Sequence, residues 1–329
     1  MLIPPKYIIT PKIIELLNQI AAHRDVIESI TIPPEIEANI RRESTLNSSL
    51  YSAKIEGNTL TLDEVTRMPS KDQRKAEVYG IMKAQKWALE KHKKDLSLSE
   101  ILEIHKICMS GFTNFESLGK IRTNMEAIFN SNGIAIYMPP PPNMVNKLVE
   151  RLIKFANSNR ERFVPIRAAL FHYSFEKIHP FLDGNGRVGR ILMQRILAQG
   201  GYGMRGIPSF EKYLDEHRTS YYRMLEEPEK DTTSYIEFIL EAIAESSNIA
   251  REQINNKQNP NAEDFLLPRR AEIVRLAREQ KMISMDMIRR RFLKVNARTL
   301  RYDVKRLTDE GYLMKLGTTR GVYYKLANN

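Results

Sequence analysis

The sequence predicts a mainly α-helical fold, and three observations carry that expectation. Apolar residues recur at three- and four-residue spacing over long stretches. Only sixteen prolines and fifteen glycines interrupt 329 residues. Ser, Thr and Pro stand where helix starts call for them. Two short hairpins are the exceptions, one mid-chain and one near the C-terminus.

Residues 1–95 read as three or four helices: one after Pro11, one after Pro33 and Pro34 running past Tyr51, one opened by Thr61, and one through Trp87. Glu64 makes Thr61 a capping box, and Ser97 with Glu100 forms a second, opening a helix to about Met109. From Met125 to Tyr137 the pattern breaks: Ile128, Phe129, Ile134 and Ile136 flank Asn-Ser-Asn-Gly, a hairpin signature. Pro139 to Pro142 predict a stiff extended connector, with helices resuming at Val145. Ala168, Phe171, Phe175 and Ile178 share one helical face, and Val188, Ile191, Leu192 and Ile196 another, so two buried helices flank the segment between them. After Ala250 the chain turns polar, with Pro260 inside the stretch. The expected organisation is a helical region at 1–95, a core at 96–250, a linker at 251–267 and a final unit at 268–329, with no internal repeats.

Composition narrows the function. Hydrophobic residues make up 42% and charged residues 28%, as in soluble globular chains. No run approaches a membrane span, and the first residues carry prolines and lysines where a signal peptide needs an unbroken apolar core. The single cysteine, Cys108, excludes an intramolecular disulfide and a Cys-based zinc site, and a reducing, cytoplasmic compartment fits it. Charge is unevenly placed: residues 268–329 hold 16 Lys+Arg against 6 Asp+Glu, so nearly all of the net +11 belongs to the last unit. A neutral body with a basic tail suggests two jobs and an anionic partner for the tail.

The chemistry lies in His179-Pro180-Phe181-Leu182-Asp183-Gly184-Asn185-Gly186-Arg187-Val188-Gly189-Arg190. The proline discourages helix at His179, so a loop feeds a new helix. Gly184 and Gly186 permit close backbone approach, and the N–H groups opening the helix make an anion cradle. Arg187 and Arg190, three apart, reach the same polyanion and suit a di- or triphosphate. Asp183 is a hard oxygen ligand for Mg²⁺ beside phosphates, and His179 can take a proton from an attacking hydroxyl. No residue of the set is an obvious covalent nucleophile, so direct transfer from a nucleotide follows.

With every fixed position of the motif present, the segment resembles the Fic family. That resemblance implies a Fic-type helical bundle with a flap, and transfer of AMP from Mg·ATP to a Tyr, Ser or Thr hydroxyl of a target protein or of the chain itself. By the same resemblance His179 is the base, Asp183 the metal carboxylate, and Gly184, Asn185 and Gly186 the α-phosphate hole. Arg187 and Arg190 become the β- and γ-phosphate ligands, and Phe181 the apolar anchor. The hairpin, with Ile128, Ile134 and Ile136, looks like the family's flap, which docks the target by strand pairing. Tyr221 and Tyr222 match a Tyr-rich stretch near the nucleotide base in many relatives, though core packing accounts for them equally well.

Ser52-Ala53-Lys54-Ile55-Glu56-Gly57 is similar to the family's inhibitory pattern. Ser52 and Glu56 share a helical face and Gly57 suits a helix end, so Glu56 can pair with Arg190 and take that arginine from the γ-phosphate. His105 and His172 lie on apolar helical faces and read as structural. No paired metal spacing such as HExxH is present.

Residues 268–329 read as three short helices and a hairpin: Ile273, Leu276 and Ala277 face inward on the first, Ser284 caps the second, and Leu300, Val304 and Leu307 face inward on the third, which Gly311 ends. The unit resembles a winged helix-turn-helix. That implies a recognition helix offering Arg298, Arg301 and Lys305, with Arg320 on the wing, against DNA. A protein-docking or dimerisation surface is the alternative. Two further readings of the whole chain stay open: a DNA-binding regulator with the Fic body as nucleotide sensor, and an enzyme removing AMP with Glu56 orienting water. A homodimer that masks the inhibitory helix is compatible with the sequence but does not follow from it.

Overall fold

Thr10 caps the first helix, α1 (Pro11–Ser29): its hydroxyl accepts the Ile13 amide at 3.2 Å, and Pro11 fills the first position, where no donor is needed. In this computed structural model residues 1–67, 72–91, 94–111, 115–129, 135–257, 262–293, 295–318 and 321–327 are described. The body continues with α2 (Pro34–Ile55), α3 (Leu62–Arg67), α4 (Gln73–Lys91) and α5 (Leu98–Met109). A two-stranded antiparallel hairpin follows, β1 (Ile128–Phe129) with β2 (Ala135–Tyr137), in which Ile128 pairs with Tyr137. Then come α6 (Pro142–Ala156), α7 (Val164–Ile178), α8 (Asn185–Gln199), α9 (Glu211–Glu216), α10 (Arg218–Glu226) and α11 (Thr233–Asn255).

One core unites these helices. Phe171, Phe175, Ile178, Val188, Leu192 and Ile196 are buried on the facing sides of α7 and α8, as their spacing predicted. The long terminal helices α1 and α11 close the bundle, with Thr10 Oγ1 donating to Glu237 at 2.5 Å and Lys12 paired to Glu241 at 3.0 Å. A second cluster gathers Leu266 with α12 (Pro268–Gln280), α13 (Met285–Arg291) and α14 (Ala297–Asp309). A three-stranded antiparallel sheet, β3 (Ile283–Ser284), β4 (Leu313–Leu316) and β5 (Tyr323–Leu326), completes it in the order β3-β5-β4.

The structure departs from the sequence expectations at four points. Pro142 begins α6 instead of extending the connector, because proline at a first helical position gives up a donor the helix does not use. The helix through Ala250 runs on to Asn255, five residues into the expected linker, its buried Ile254 extending the apolar face. Ile283 and Ser284 add a strand that a two-residue run could not announce, Ser284 serving also as N-cap of α13. Thr61 and Glu64 form the reciprocal capping box, Glu64 Oε2 accepting the Thr61 amide at 2.8 Å, whereas at Ser97 only half of the box is made. Glu100 turns away to Arg195 on α8.

That guanidinium is fully buried. It donates from Nε to Glu100 at 2.7 Å and also reaches the Lys94 carbonyl at 2.6 Å, bolting α5 to α8. Removing one partner of a buried ion pair leaves the other charge without compensation. Glu100→Ala is therefore expected to lower unfolding free energy by about 3–5 kcal/mol. Urea denaturation would show it as a lower midpoint at unchanged slope; a shift below about 1 kcal/mol would contradict it.

Candidate active site

Helix α7 ends at His179, whose amide still donates to the Phe175 carbonyl at 2.9 Å while its backbone turns left-handed, φ 50° and ψ 62°. Pro180 disfavours right-handed helix at the preceding residue, which ends α7 there. The conformation is costly for a residue with a Cβ, so the surroundings must hold it. The ring's Nδ1 lies 3.3 Å from the Glu176 carbonyl. A carbonyl only accepts, so Nδ1 carries the hydrogen and Nε2 keeps its lone pair. Burial lowers the His179 pKa, with the Glu176 carbonyl pulling the other way and the Arg122 charge reinforcing the fall. The imidazole is neutral at neutral pH and able to accept a proton.

The loop 180–184 is pinned from several sides. Asn185 locks it from within, its side chain accepting the Phe181 amide at 2.9 Å and donating to the Phe181 carbonyl at 2.8 Å. The Asn185 amide side chain is thus committed to the loop, and the cradle is left to the first backbone N–H groups of α8, which have no intrahelical acceptors. His105 of α5 stacks on Phe181 with ring centroids 3.9 Å apart. Its Nδ1 accepts the Gly119 amide at 2.9 Å, which leaves the hydrogen on Nε2 to donate to the Asp183 carbonyl at 3.1 Å. Gly184 is left-handed, φ 83°, and its amide donates to Asp183 Oδ1 at 2.6 Å. The Asp183 carboxylate remains half exposed, and as a hard oxygen donor beside the N-terminus of α8 it fits a Mg²⁺-phosphate ligand.

Both arginines of the motif are buried and held by carboxylates. Arg187 pairs with Glu77 of α4 at 2.5 Å and with Asp183 at 2.6 Å. Arg190 donates from Nε to Ser52 Oγ at 3.0 Å and from Nη2 to the Ser52 carbonyl and Glu56 Oε1, both at 2.9 Å. Burial works to lower its pKa, and the Glu56 carboxylate together with the Tyr221 and Tyr222 hydroxyls outweighs it, so the guanidinium is held more firmly cationic than usual. Gly186 makes room for this contact, since a Cβ there would run into Glu56 Oε1 and stand 3.0 Å from Arg190 Nη1. Gly57, φ 98°, ends the turn that presents Glu56. Asn58 extends it, donating to Glu77 Oε2 at 2.8 Å, so the turn touches the partners of both arginines.

Tyr221 is buried, its hydroxyl 2.7 Å from His172 Nε2. Tyr222 is partly exposed beside the site and donates to the Ile55 carbonyl at 3.1 Å, while Arg218 holds the Lys54 carbonyl at 2.6 Å. Of the flap residues, Ile128 lies in β1 and Ile136 in β2, whereas Ile134 lies outside the described residues, as does Arg320. Arg298, Arg301 and Lys305 are exposed along one face of α14. Sequence reasoning missed Glu77, Arg122 and Glu176. The register Glu176-Lys177-Ile178-His179 was the available signal for the last, placing a carboxylate one helical turn before the base.

Residues 95–197 match the model of the Fic/DOC family. The protein adenylyltransferase Fic of Drosophila melanogaster is 30% identical over 237 residues, 68% of this chain and 45% of that relative; that of Drosophila ananassae is 29% identical over the same length. The chain therefore spans about half the length of these curated relatives. Among solved structures, a Fic family protein from Desulfovibrio desulfuricans G20 is similar with a TM-score of 0.67 and 25% identity, over 99% of this chain and 98% of that one. Residues 134–508 of Fic-1 from C. elegans share the fold, with a TM-score of 0.60 and 22% identity over 75% of this chain and 73% of that one.

Glu176 gives the site's own pH signature. Burial pushes its carboxyl up to about 8, while burial and the Arg190 charge push His172, 3.5 Å away, down to about 3, so both are neutral at neutral pH. Because the folded state keeps the Glu176 proton after the unfolded chain has released it, this group's contribution to stability falls as pH rises from about 5 to 8. The neutral isostere Glu176→Gln is expected to gain on the wild type across that interval in urea midpoints. A difference independent of pH would refute the assignment.

Proposed function

Taking the Fic/DOC family domain as the premise, we propose that this protein transfers AMP from ATP to a Tyr, Ser or Thr hydroxyl of a target protein, itself included, and that Glu56 restrains the reaction. The observation that carries the reading is His179, whose Nδ1 contact to the Glu176 carbonyl leaves the lone pair on Nε2, beside a helix N-terminus flanked by two buried arginines. His179 Nε2 takes the hydroxyl proton as the oxygen forms its bond to the α-phosphorus. The bond from that phosphorus to the bridging oxygen breaks, and pyrophosphate leaves. The N–H groups of Asn185 and Gly186 face the α-phosphate charge, the Gly184 N–H being held by Asp183 Oδ1 beside them, and Arg187 and Arg190 face that of the leaving group. Asp183 would hold Mg²⁺, which supplies neutralisation of phosphate charge. Tyr222 is the better placed of the two tyrosines to meet the base. The hairpin β1–β2 pairs with the target's extended segment.

Charge explains the restraint. Arg187 and Arg190 face Glu56, Glu77 and Asp183, two cations against three carboxylates, so the cluster is net negative toward a polyanion while Glu56 is in place, and with Glu56 moved the count is two against two and that repulsion goes. Moving Glu56 frees Arg190 and clears the space above Gly186 together. If the lock is worth about 3 kcal/mol, its loss raises the competent population about a hundredfold.

For residues 268–329 we propose a winged helix that binds DNA, supported by the concentration of charge in that unit and the exposed Arg298, Arg301 and Lys305 on one face of α14.

Transfer of label from α-labelled ATP to the protein and to a cell lysate tests the first reading. Label is expected to rise at least tenfold in Glu56→Gly and to vanish when His179→Ala is added. The acid limb of its pH–rate profile is expected below the ordinary histidine value of about 6.5, and lower still without Glu56, whose charge raises the His179 pKa. A folded, ATP-binding Glu56→Gly protein that labels nothing would overturn the reading. For the tail, mobility shifts on mixed-sequence DNA should weaken steeply with salt, and Arg298→Ala or Arg301→Ala should each reduce the slope by about one. No binding at low salt would count decisively against DNA.

A further inference from the structure

Arg122 lies on the segment leading into β1, outside the motif, and is buried to 2% exposure. Its guanidinium makes no ion pair with a carboxylate among the described residues. It is instead distributed over four backbone carbonyls. Nε donates to His179 at 2.7 Å, Nη1 to Asn124 at 2.9 Å, and Nη2 to Pro140 at 2.6 Å and to Ile178 at 3.3 Å. The Arg122 amide adds a fifth contact, to the Pro180 carbonyl at 2.9 Å. Three of these acceptors are the backbone that carries the histidine, and two are the legs by which the chain enters and leaves the hairpin.

Only a guanidinium can do this. Its five N–H groups diverge in a plane and reach separated carbonyls, whereas an ammonium is a point with three donors. The acceptors also need it, since buried carbonyls left without donors are expensive and His179 sits in a conformation its neighbours must maintain. A second tie runs parallel: Tyr137 at the end of β2 donates to the Lys177 carbonyl at 3.0 Å, and the Lys177 ammonium stands 4.5 Å from the Tyr137 ring centre.

We propose that Arg122 is a positioning residue that couples the hairpin to the histidine, holding both legs of the flap and the left-handed backbone of His179 in one register, so that a hydroxyl presented along the hairpin meets His179 Nε2. The catalytic part rests on the transferase reading; the coupling itself does not.

Two experiments separate them. Amide hydrogen exchange compares the full-length wild type with Arg122→Gln and Arg122→Lys. In Arg122→Gln, peptides covering 121–129, 135–141 and 176–184 are expected to lose protection together, while α6 and the C-terminal half of α8 keep theirs. Loosening of the hairpin legs alone, or of neither segment, overturns the coupling. The second experiment places the same changes in Glu56→Gly and follows labelled AMP transfer. Arg122→Gln is expected to lower kcat about a hundredfold with the KM for ATP changed less than threefold, as misplacement of a base does.

Its acid limb should also move to higher pH. Of the charges facing His179, Arg122 lowers its pKa while Glu56 and Asp183 raise it, so loss of the Arg122 charge raises it. Arg122→Lys keeps the charge, so it should keep the limb while kcat still falls. Unchanged kcat in both variants, or equal loss of ATP binding and rate, overturns the positioning role. A Glu56→Gly parent that labels nothing overturns the transferase reading, and the exchange result still decides the coupling. Should Arg122→Gln lose cooperative unfolding, the Lys variant decides each arm alone.

Discussion

The loop from His179 to Gly184 must reverse the chain between two buried helices, and the surrounding side-chain chemistry is organised by that constraint. A left-handed histidine at one end and a left-handed glycine at the other produce the reversal within six residues. Such a turn strands backbone donors and acceptors that helix or sheet would otherwise pair. The structure answers several of them. Asn185 closes the Phe181 amide and carbonyl, His105 takes the Asp183 carbonyl, Asp183 caps Gly184, and Arg122 collects the carbonyls of Ile178 and His179. What the loop leaves for an anion is the head of α8, where the first N–H groups have no intrahelical acceptors.

Buried charge is the second consequence. Two arginines brought to one helix end would repel each other and bear a large desolvation cost, so carboxylates come in from α2 and α4. Glu77 sits deep and is fixed by Asn58, whereas Glu56 is at the last turn of its helix and a quarter exposed. The two are therefore unequal: one is a permanent counter-ion, the other stands at an end that can fray. Arg218 and Tyr222 grip that end through the Lys54 and Ile55 carbonyls, which makes α10 part of whatever holds Glu56 in place.

Much of this was legible in the sequence because it is local. The twelve-residue motif encodes its own loop and cradle, and the Ser52–Glu56 spacing puts both residues against one guanidinium. Helix starts followed from caps, although Glu100 shows the limit: a capping-box spacing fixes only the Ser97 half, and where the carboxylate goes depends on a helix about 95 residues away. Glu77, Arg122 and Glu176 were illegible for the same reason. An arginine in a loop, or a glutamate on an amphipathic helix, looks like a solvated charge until folding shows it surrounded by carbonyls or sealed beside His172. Tyr221 and Tyr222, adjacent in sequence, part company because a helix turns one into the core and the other toward α2.

Gly186 ties the loop's geometry to its control. Any side chain at that position would occupy the space now taken by the Glu56 carboxylate, which lies over the first residues of α8. On the proposed reading the glycine thus serves an anion from outside and a carboxylate from within the same chain, and the two compete for one concave face. Such competition needs no conformational relay: whichever negative group sits above Gly186 excludes the other by contact and by charge. On that same reading a single ion pair can carry a strong restraint, since releasing Arg190 and uncovering the head of α8 are one event.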